Sequence, residues 1–196
     1  MTAARLAALV LATLATGLIA GLFYGYANSV LPALGRTDDR VMIDVMQKIN
    51  VVIINPWFMS GFLGTVGGTI VAAALHLGKE HRGILIWIGV GLVLNVIAFA
   101  VTSGLNVPLN DQLAAAGDPA SITDLTTVRA DFESAWVRWN IIRAVFHTLA
   151  LLALCCALFT AGVQHGKSSM AGAAVADRFA AYKYPDQVGT SVRQQN

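Results

Sequence analysis

Four residues between positions 136 and 147 have types and a spacing that suit chemistry on oxygen. Trp136, Asn140, Arg143 and His147 recur at intervals of 4, 3 and 4, which places them on one face of a helix. Arg143 brings a fixed positive charge and five N–H donors, Asn140 both donates and accepts, and His147 carries an imidazole able to take a proton. Such a set can hold an oxygen-rich, partly aromatic molecule and stabilise an anion made from it. Each residue also has a plainer reading. Arg143 can snorkel toward headgroups, Trp136 and Trp139 can anchor at an interface, and the asparagines can cap helix ends.

The elements that must position these residues are apolar helices. Stretches 6–35, 49–78, 83–110 and 139–166 are free of charge apart from Arg143. A helix of about 20 apolar residues crosses the hydrocarbon layer, and lipid leaves the backbone no partner but itself. Hydrophobic residues make up 56% of the chain and charged residues only 12%, against roughly 25% charged in a soluble domain. The expected fold is therefore all-α: an integral membrane four-helix bundle, with an outer amphipathic helix and an outer loop or helix between spans three and four. Residues 1–166 form the four-span domain, and 167–196 a cytoplasmic tail that is partly disordered, with a short surface helix over 171–183 and disorder expected from Pro185 onward. The apolar run from Leu6 to Leu34 outlasts the core of a cleaved signal peptide, so it reads as a retained span.

Both termini of a four-span chain share a side. Arg5, Lys79, Arg82, Lys167, Arg178, Lys183 and Arg193 fall there, against Arg36, Arg40, Lys48, Arg129 and Arg138 opposite. The short basic loop Lys79–Arg82 weighs most, so both termini are expected in the cytoplasm of a multi-pass cell-membrane protein. The net charge of +2 gives no nucleic-acid signal.

Local punctuation divides the rest. Pro32 and Gly35 end the first helix, Thr37 or Asp38 caps the next, and Val41, Met42, Val45, Met46 and Ile49 share a face. That amphipathic helix lies at the outer interface or packs over the mouth of the bundle. Asn55-Pro56 opens span two. Pro108 suggests a helix end, Gly117-Asp118-Pro119 a turn, and Ser121 with Asp124 a capping box. Arg129 and Glu133 are spaced for an i,i+4 pair. A helix from 121 to 163 would reach about 63 Å at 1.5 Å per residue, too long for one span, so a bend or an outer hairpin is expected. Gly17, Gly21 and Gly25, with Gly61, Gly64, Gly67 and Gly68, allow close helix approach inside the bundle; a homo-oligomer through the Gly17/Gly21/Gly25 face is the alternative.

Placed by depth, polar residues of all four spans gather at the outer end. Tyr24 and Asn28 come from span one, Asn50 and Asn55 from the start of span two, Asn106 and Asn110 from span three, and Trp139, Asn140, Arg143 and His147 from span four. Mid-span Asn95 is expected to hydrogen-bond another helix. His76, His81 and His165 fall at the cytoplasmic edge and are expected to be solvated, without a carboxylate or thiolate at metal-ligand spacing. His147 and His76 sit at opposite ends, which argues against a haem held between them. Cys155 and Cys156 are adjacent, so they suit packing rather than a disulfide.

Gly21-Leu-Phe-Tyr24, Gln47-Lys-Ile-Asn50, Asn55-Pro-Trp-Phe-Met59, Asn106-Val-Pro-Leu-Asn110 and Trp139-Asn-Ile-Ile-Arg143 stand in one order along residues 17 to about 160. In this the chain resembles the anthrone oxygenase-like family of four-span membrane proteins. The resemblance implies a membrane oxidoreductase, a monooxygenase that oxidises an anthrone to an anthraquinone with O2 as co-substrate and with no metal or organic cofactor. Base-assisted chemistry would make His147 the base and Arg143 the anion stabiliser. Tyr24, Asn28, Asn50, Asn55, Asn106, Asn110, Trp139 and Asn140 would bind the substrate. The implied partners are membrane lipid and a hydrophobic aromatic small molecule. The competing reading is a non-catalytic lipid- or quinone-binding protein, or an accessory subunit of a membrane complex. A transporter is disfavoured because the polar groups occupy only one end.

Overall fold

The computed structural model describes residues 2–183. Helix α1 (Ala3–Gly25) starts at Thr2, whose side chain accepts from the Arg5 N–H. It passes through a π turn, Tyr26–Val30, into the short α2 (Leu31–Leu34). Helix α3 (Asp39–Val52) is capped by the Asp38 carboxylate, which accepts from Val41 N at 3.0 Å. Helix α4 (Pro56–Leu75) begins at Asn55-Pro56, with the Asn55 side chain accepting from Trp57 N and Phe58 N. After a 3-10 turn at Lys79–His81 come α5 (Arg82–Val101), a second π turn at Thr102–Asn106 and α6 (Val107–Ala115). Helix α7 (Leu125–Lys183) completes the described chain. There are no strands among the described residues.

Among the described residues, four helical runs, Ala3–Leu34, Pro56–Leu75, Lys79–Ala115 and Leu125–Ala176, are long and apolar enough to cross a membrane. The protein is a multi-pass all-α bundle. Arg5 donates from Nε to the Leu75 carbonyl at 2.7 Å, so the start of α1 meets the end of α4 and the two run antiparallel. Their close approach comes from glycines on α4. A Cβ on Gly64 would lie 3.2 Å from Ala15 Cβ, and one on Gly68 3.5 Å from Ala12 Cα. On α1 itself, Gly17 faces Leu151, whereas Gly21 and Gly25 have no neighbour within 4 Å of such a Cβ. The packing expected of that whole stripe is confined to its first member.

Neither Pro32 nor Pro108 ends its helix as expected. Pro32 and Pro108 each follow a five-residue π turn by one residue, and the chain continues helically past both. A proline lacks the N–H its i−4 carbonyl needs, and its ring crowds that carbonyl. Widening the turn, with Leu31 N bonding Tyr26 O and Val107 N bonding Thr102 O, keeps the axis continuous.

The expected bend or hairpin before span four is replaced by one unbroken helix. No proline occurs in Leu125–Lys183. The first turns of α7 are covered by protein: Phe132 and Trp136 are buried with Leu31, Met42, Ile43, Met46 and Leu113. The long helix is therefore accommodated by α2, α3 and α6 packed around its start. Asp124 alone caps it, accepting from Thr127 N at 3.0 Å and Thr127 Oγ1 at 2.8 Å. The Thr127 backbone N–H first, then the Thr127 hydroxyl, hold this exposed carboxyl below its ordinary range. Gly117, with φ +85°, supplies the left-handed turn after α6.

Helix α3 takes the second of its two expected positions and covers the mouth. Gln47 Nε2 donates to the carbonyls of Leu113 at 2.8 Å and Gly117 at 3.0 Å. Arg129 binds Glu133 at 2.6 Å, Asp39 at 3.0 Å and the carbonyls of Thr37 and Gly35 at 2.8 and 3.1 Å. The expected i,i+4 pair is one part of that cluster.

The chain divides into two compact units, with Thr2–Leu158 as the bundle and the segment from Phe159 as the other. The residues expected to form a short helix over 171–183 are a continuation of α7. The disorder expected from Pro185 onward lies outside the described residues. His76, expected in solvent, is fully buried, with Nδ1 donating to the Ala72 carbonyl at 2.7 Å. It sits at the closed end of α4, where the helix turns into the next loop, and packs edge-on against His81 at 5.7 Å.

Candidate functional site

The most informative side chain is Arg143. It is only 6% exposed, yet it forms no ion pair among the described residues. Burying arginine in a span costs about 2.5–3.5 kcal/mol by insertion scales. Here the compensation is polar and aromatic. Asn140 Oδ1, one turn earlier on α7, accepts from Nη2 at 3.0 Å and Nε at 3.3 Å. Thr102 Oγ1, from the π turn after α5, lies 3.5 Å from Nη1. The guanidinium carbon stands 3.8 Å from the Phe23 ring centre and 5.1 Å from that of Trp136. Two acceptors leave part of a five-donor group unused.

Asn140 is oriented unambiguously. Its Nδ2 donates to the Phe23 carbonyl at 3.1 Å, and a carbonyl can only accept, so the amide oxygen must face Arg143. The residue thereby ties α7 to α1 just before the π turn.

Arg143 opens onto a cavity of about 190 Å³. Phe23, Tyr26, Phe58, Phe62 and Trp136 give it aromatic walls, with Leu22, Ile49, Ile53, Ile54, Met59 and Val107 between them. Asn50, Thr102, Ser103 and Asn110 are its other polar lining. Phe62 stacks on Phe58 at 5.4 Å and on Phe99 at 4.8 Å, which stiffens one wall. The volume is below the ~300–1,000 Å³ of drug-sized pockets, so it fits a small flat molecule or one end of a larger one. Tyr26, Ile49 and Ile53 also line an adjoining groove beside Val52 and Asn55, giving the cavity a side exposed between α1 and α3.

The residues singled out from sequence divide into groups. Asn50, Asn110 and Arg143 line the cavity. Asn50 Nδ2 is buried without a partner, whereas Asn110 Oδ1 accepts from Trp136 Nε1 at 2.6 Å. Asn106 and Asn140 are fully buried behind the wall; Asn106 Nδ2 donates to the Trp136 carbonyl at 3.3 Å and its Oδ1 has no partner. His147 is also fully buried and does not line the cavity; its ring lies 5.6 Å from that of Phe23. Tyr24 is 64% exposed and Asn28 is exposed, both outside the lining. Asn55 serves as the cap of α4, and Trp139 stacks under Arg138 at 5.2 Å.

A family model described as anthrone oxygenase matches residues 56–153, half of the chain. The chain belongs to the anthrone oxygenase family. No curated protein and no solved structure matches it. The anthrone oxygenase match takes in α4, α5, α6 and α7 as far as His147 and beyond, so it contains Arg143, Asn140 and Thr102. Phe23, Tyr26 and Asn50, on α1, its π turn and α3, fall outside the matched stretch but complete the cavity. No three His, Cys, Asp or Glu side chains among the described residues form a metal-binding cluster in this anthrone oxygenase fold.

Sequence reasoning missed Phe23, Tyr26, Phe58, Phe62 and Thr102. An available signal was the 4, 3 spacing of Ile19, Phe23 and Tyr26, which puts Tyr26 rather than Tyr24 on the buried face of α1.

Proposed function

We propose that the protein is a membrane oxygenase for a small aromatic ketone of the anthrone type, bound in the Arg143 cavity. The observation that carries this reading is a buried guanidinium without a carboxylate, facing an aromatic-walled cavity with donors to spare. A substrate whose oxygen gains negative charge during reaction supplies the missing anion. Aromatic walls suit flat rings, and Asn50 Nδ2 offers a second donor to a substrate oxygen.

In the proposed reaction, a methylene flanked by two aromatic rings loses a proton. Its electron pair delocalises onto the ring carbonyl oxygen, which Arg143 holds. The carbon then reacts with O2. One oxygen atom stays as the new carbonyl and the other leaves as water, while the two C–H bonds supply the four electrons. The balance closes without an added reductant. His147 is the proposed proton acceptor.

The binding-only reading, in which the cavity holds a quinone or lipid end without reaction, has one observation in its favour: His147 stands behind Phe23 rather than in the wall. O2 uptake by the purified protein with an anthrone substrate separates the two. The expected result is uptake above the uncatalysed background, with kcat lowered about 10²–10³-fold in Arg143→Ala, the size of losing an oxyanion donor. Arg143→Lys, which keeps the charge but loses the planar donor set, should fall between. Absence of uptake with any anthrone, combined with tight binding of a quinone by the wild type, would replace the oxygenase with a binding protein.

A further inference from the structure

The middle of the bundle contains a hydrogen-bonded group centred on Asn95, a residue the chemistry above does not use. Asn95, on α5, is fully buried. Its Nδ2 points at the Thr65 carbonyl at 3.0 Å, Thr16 Oγ1 at 3.1 Å and Thr69 Oγ1 at 3.4 Å. These partners come from α1 and α4. On its other side, Asn95 Oδ1 lies 3.0 Å from His147 Nδ1, on α7. One amide therefore joins all four spans.

The chemistry of these contacts fixes more than the packing. A backbone carbonyl accepts and never donates, so the atom facing Thr65 must be the amide nitrogen. The atom facing His147 is then the amide oxygen, which can only accept. His147 must donate from Nδ1, and Nε2 is left as a bare lone pair. That Nε2 is buried and has no partner among the described residues. The charged group nearest in sequence on the same face is Arg143, one turn earlier. The groups that meet the Asn95–His147 pair from α1 and α4, namely the side chains of Thr16, Phe23 and Thr69 and the backbone carbonyl of Thr65, are uncharged.

We infer that Asn95 is a positioning residue: it locks His147 as the Nδ1–H tautomer and so presents Nε2 as the proton acceptor for the substrate held at Arg143. Phe23 is the partition between the two groups. Its ring floors the cavity, carries the Arg143 guanidinium at 3.8 Å and meets the His147 ring at 5.6 Å. The proposed role requires the Phe23 side chain to turn aside so that the cavity reaches the imidazole. The inference rests on the oxygenase reading for its catalytic consequence, but the locked tautomer stands or falls by itself. An asparagine holds the ring without a charge, so the imidazole keeps an ordinary neutral lone pair. A carboxylate in its place would favour the imidazolium.

The test is nitrogen NMR on the full-length protein with 15N-labelled histidine, the His147 signals being assigned by their loss in His147→Gln. The wild type at neutral pH should show His147 protonated at Nδ1 alone. Asn95→Leu should populate the Nε2–H form as well, and Asn95→Asp should keep Nδ1 protonated. Turnover adds the catalytic half. The acid limb of kcat/KM against pH should move upward in Asn95→Asp, a change that loss of packing alone does not produce. A wild type protonated at Nε2, or a tautomer unchanged in Asn95→Leu, overturns the inference. So does an acid limb that stays in place in an active Asn95→Asp enzyme. If no variant and no wild type consumes O2, the oxygenase reading fails while the NMR still decides the tautomer.

Discussion

Asn140 is the residue on which the site's geometry turns, because one end of its amide reaches α1 and the other holds Arg143 one turn on. Nδ2 is bound to the Phe23 carbonyl and Oδ1 to Arg143. Asn140→Leu leaves a buried carbonyl and a buried guanidinium short of partners, each omission costing about 1–3 kcal/mol. The expected outcome is a lower thermal midpoint in detergent together with a raised KM, since the guanidinium loses its rest. Asn28→Ala and Tyr24→Phe, at exposed positions outside the cavity, should leave both measurements unchanged. Arg143 and Asn140 were legible in the sequence because a charge or amide inside an apolar run is costly and stands out. Tyr26, Phe23 and Thr102 were not, because aromatic and hydroxyl side chains are at home in such a run and only helical phase tells which of them face inward. Asn55 shows the opposite failure: it stood out as polar, but its oxygen is spent on the first N–H groups of α4.

At the level of elements, α3 is the part that closes the cavity. It contributes Ile49 and Asn50 to the wall, and Arg129 holds its first turn through Asp39 and the carbonyls of Gly35 and Thr37. Arg129→Ala removes these bonds and takes from Asp39 and Glu133 the cation they share. Backbone amides of α3 should then exchange with deuterium at least about 10-fold faster, the equivalent of roughly 1.4 kcal/mol. Those of α4 and α5 should not change. Equal protection of α3 in both proteins would mean that the apolar contacts of Met42, Ile43 and Met46 suffice. The amphipathic pattern of α3 was readable, since Met42 and Met46 recur at helical spacing. Its place over the mouth was not, because a helix with one apolar face satisfies itself equally well on lipid or on protein. The π turns were hidden for a related reason: a proline announces a disturbance of the helix without saying whether the chain stops or widens.

For the whole molecule, the distribution of lysine and arginine predicts an orientation: termini in the cytoplasm, and the end holding α3 and the Arg143 cavity on the other side. A fluorescent protein fused after residue 196 should therefore fluoresce in cells, and alkaline phosphatase inserted at the Gly117-Asp118 turn should be active. The reverse pattern would turn the cavity toward the cytoplasm. The number of spans was legible because each needs its own long apolar run, whereas their mutual packing rests on single glycines such as Gly64 and Gly68 whose neighbours no pattern names. The two π turns have one more consequence. Each amounts to one residue inserted into an otherwise regular helix, and each stands between the bundle and its cap. Removing a single residue from positions 27–30 would restore the regular phase and turn the segment that follows directly by about 100°. The spans would keep their register while α2 and α3 swung off the mouth. In a chain built this way, length itself is a specificity determinant: a deletion that touches no wall residue would still unmake the pocket.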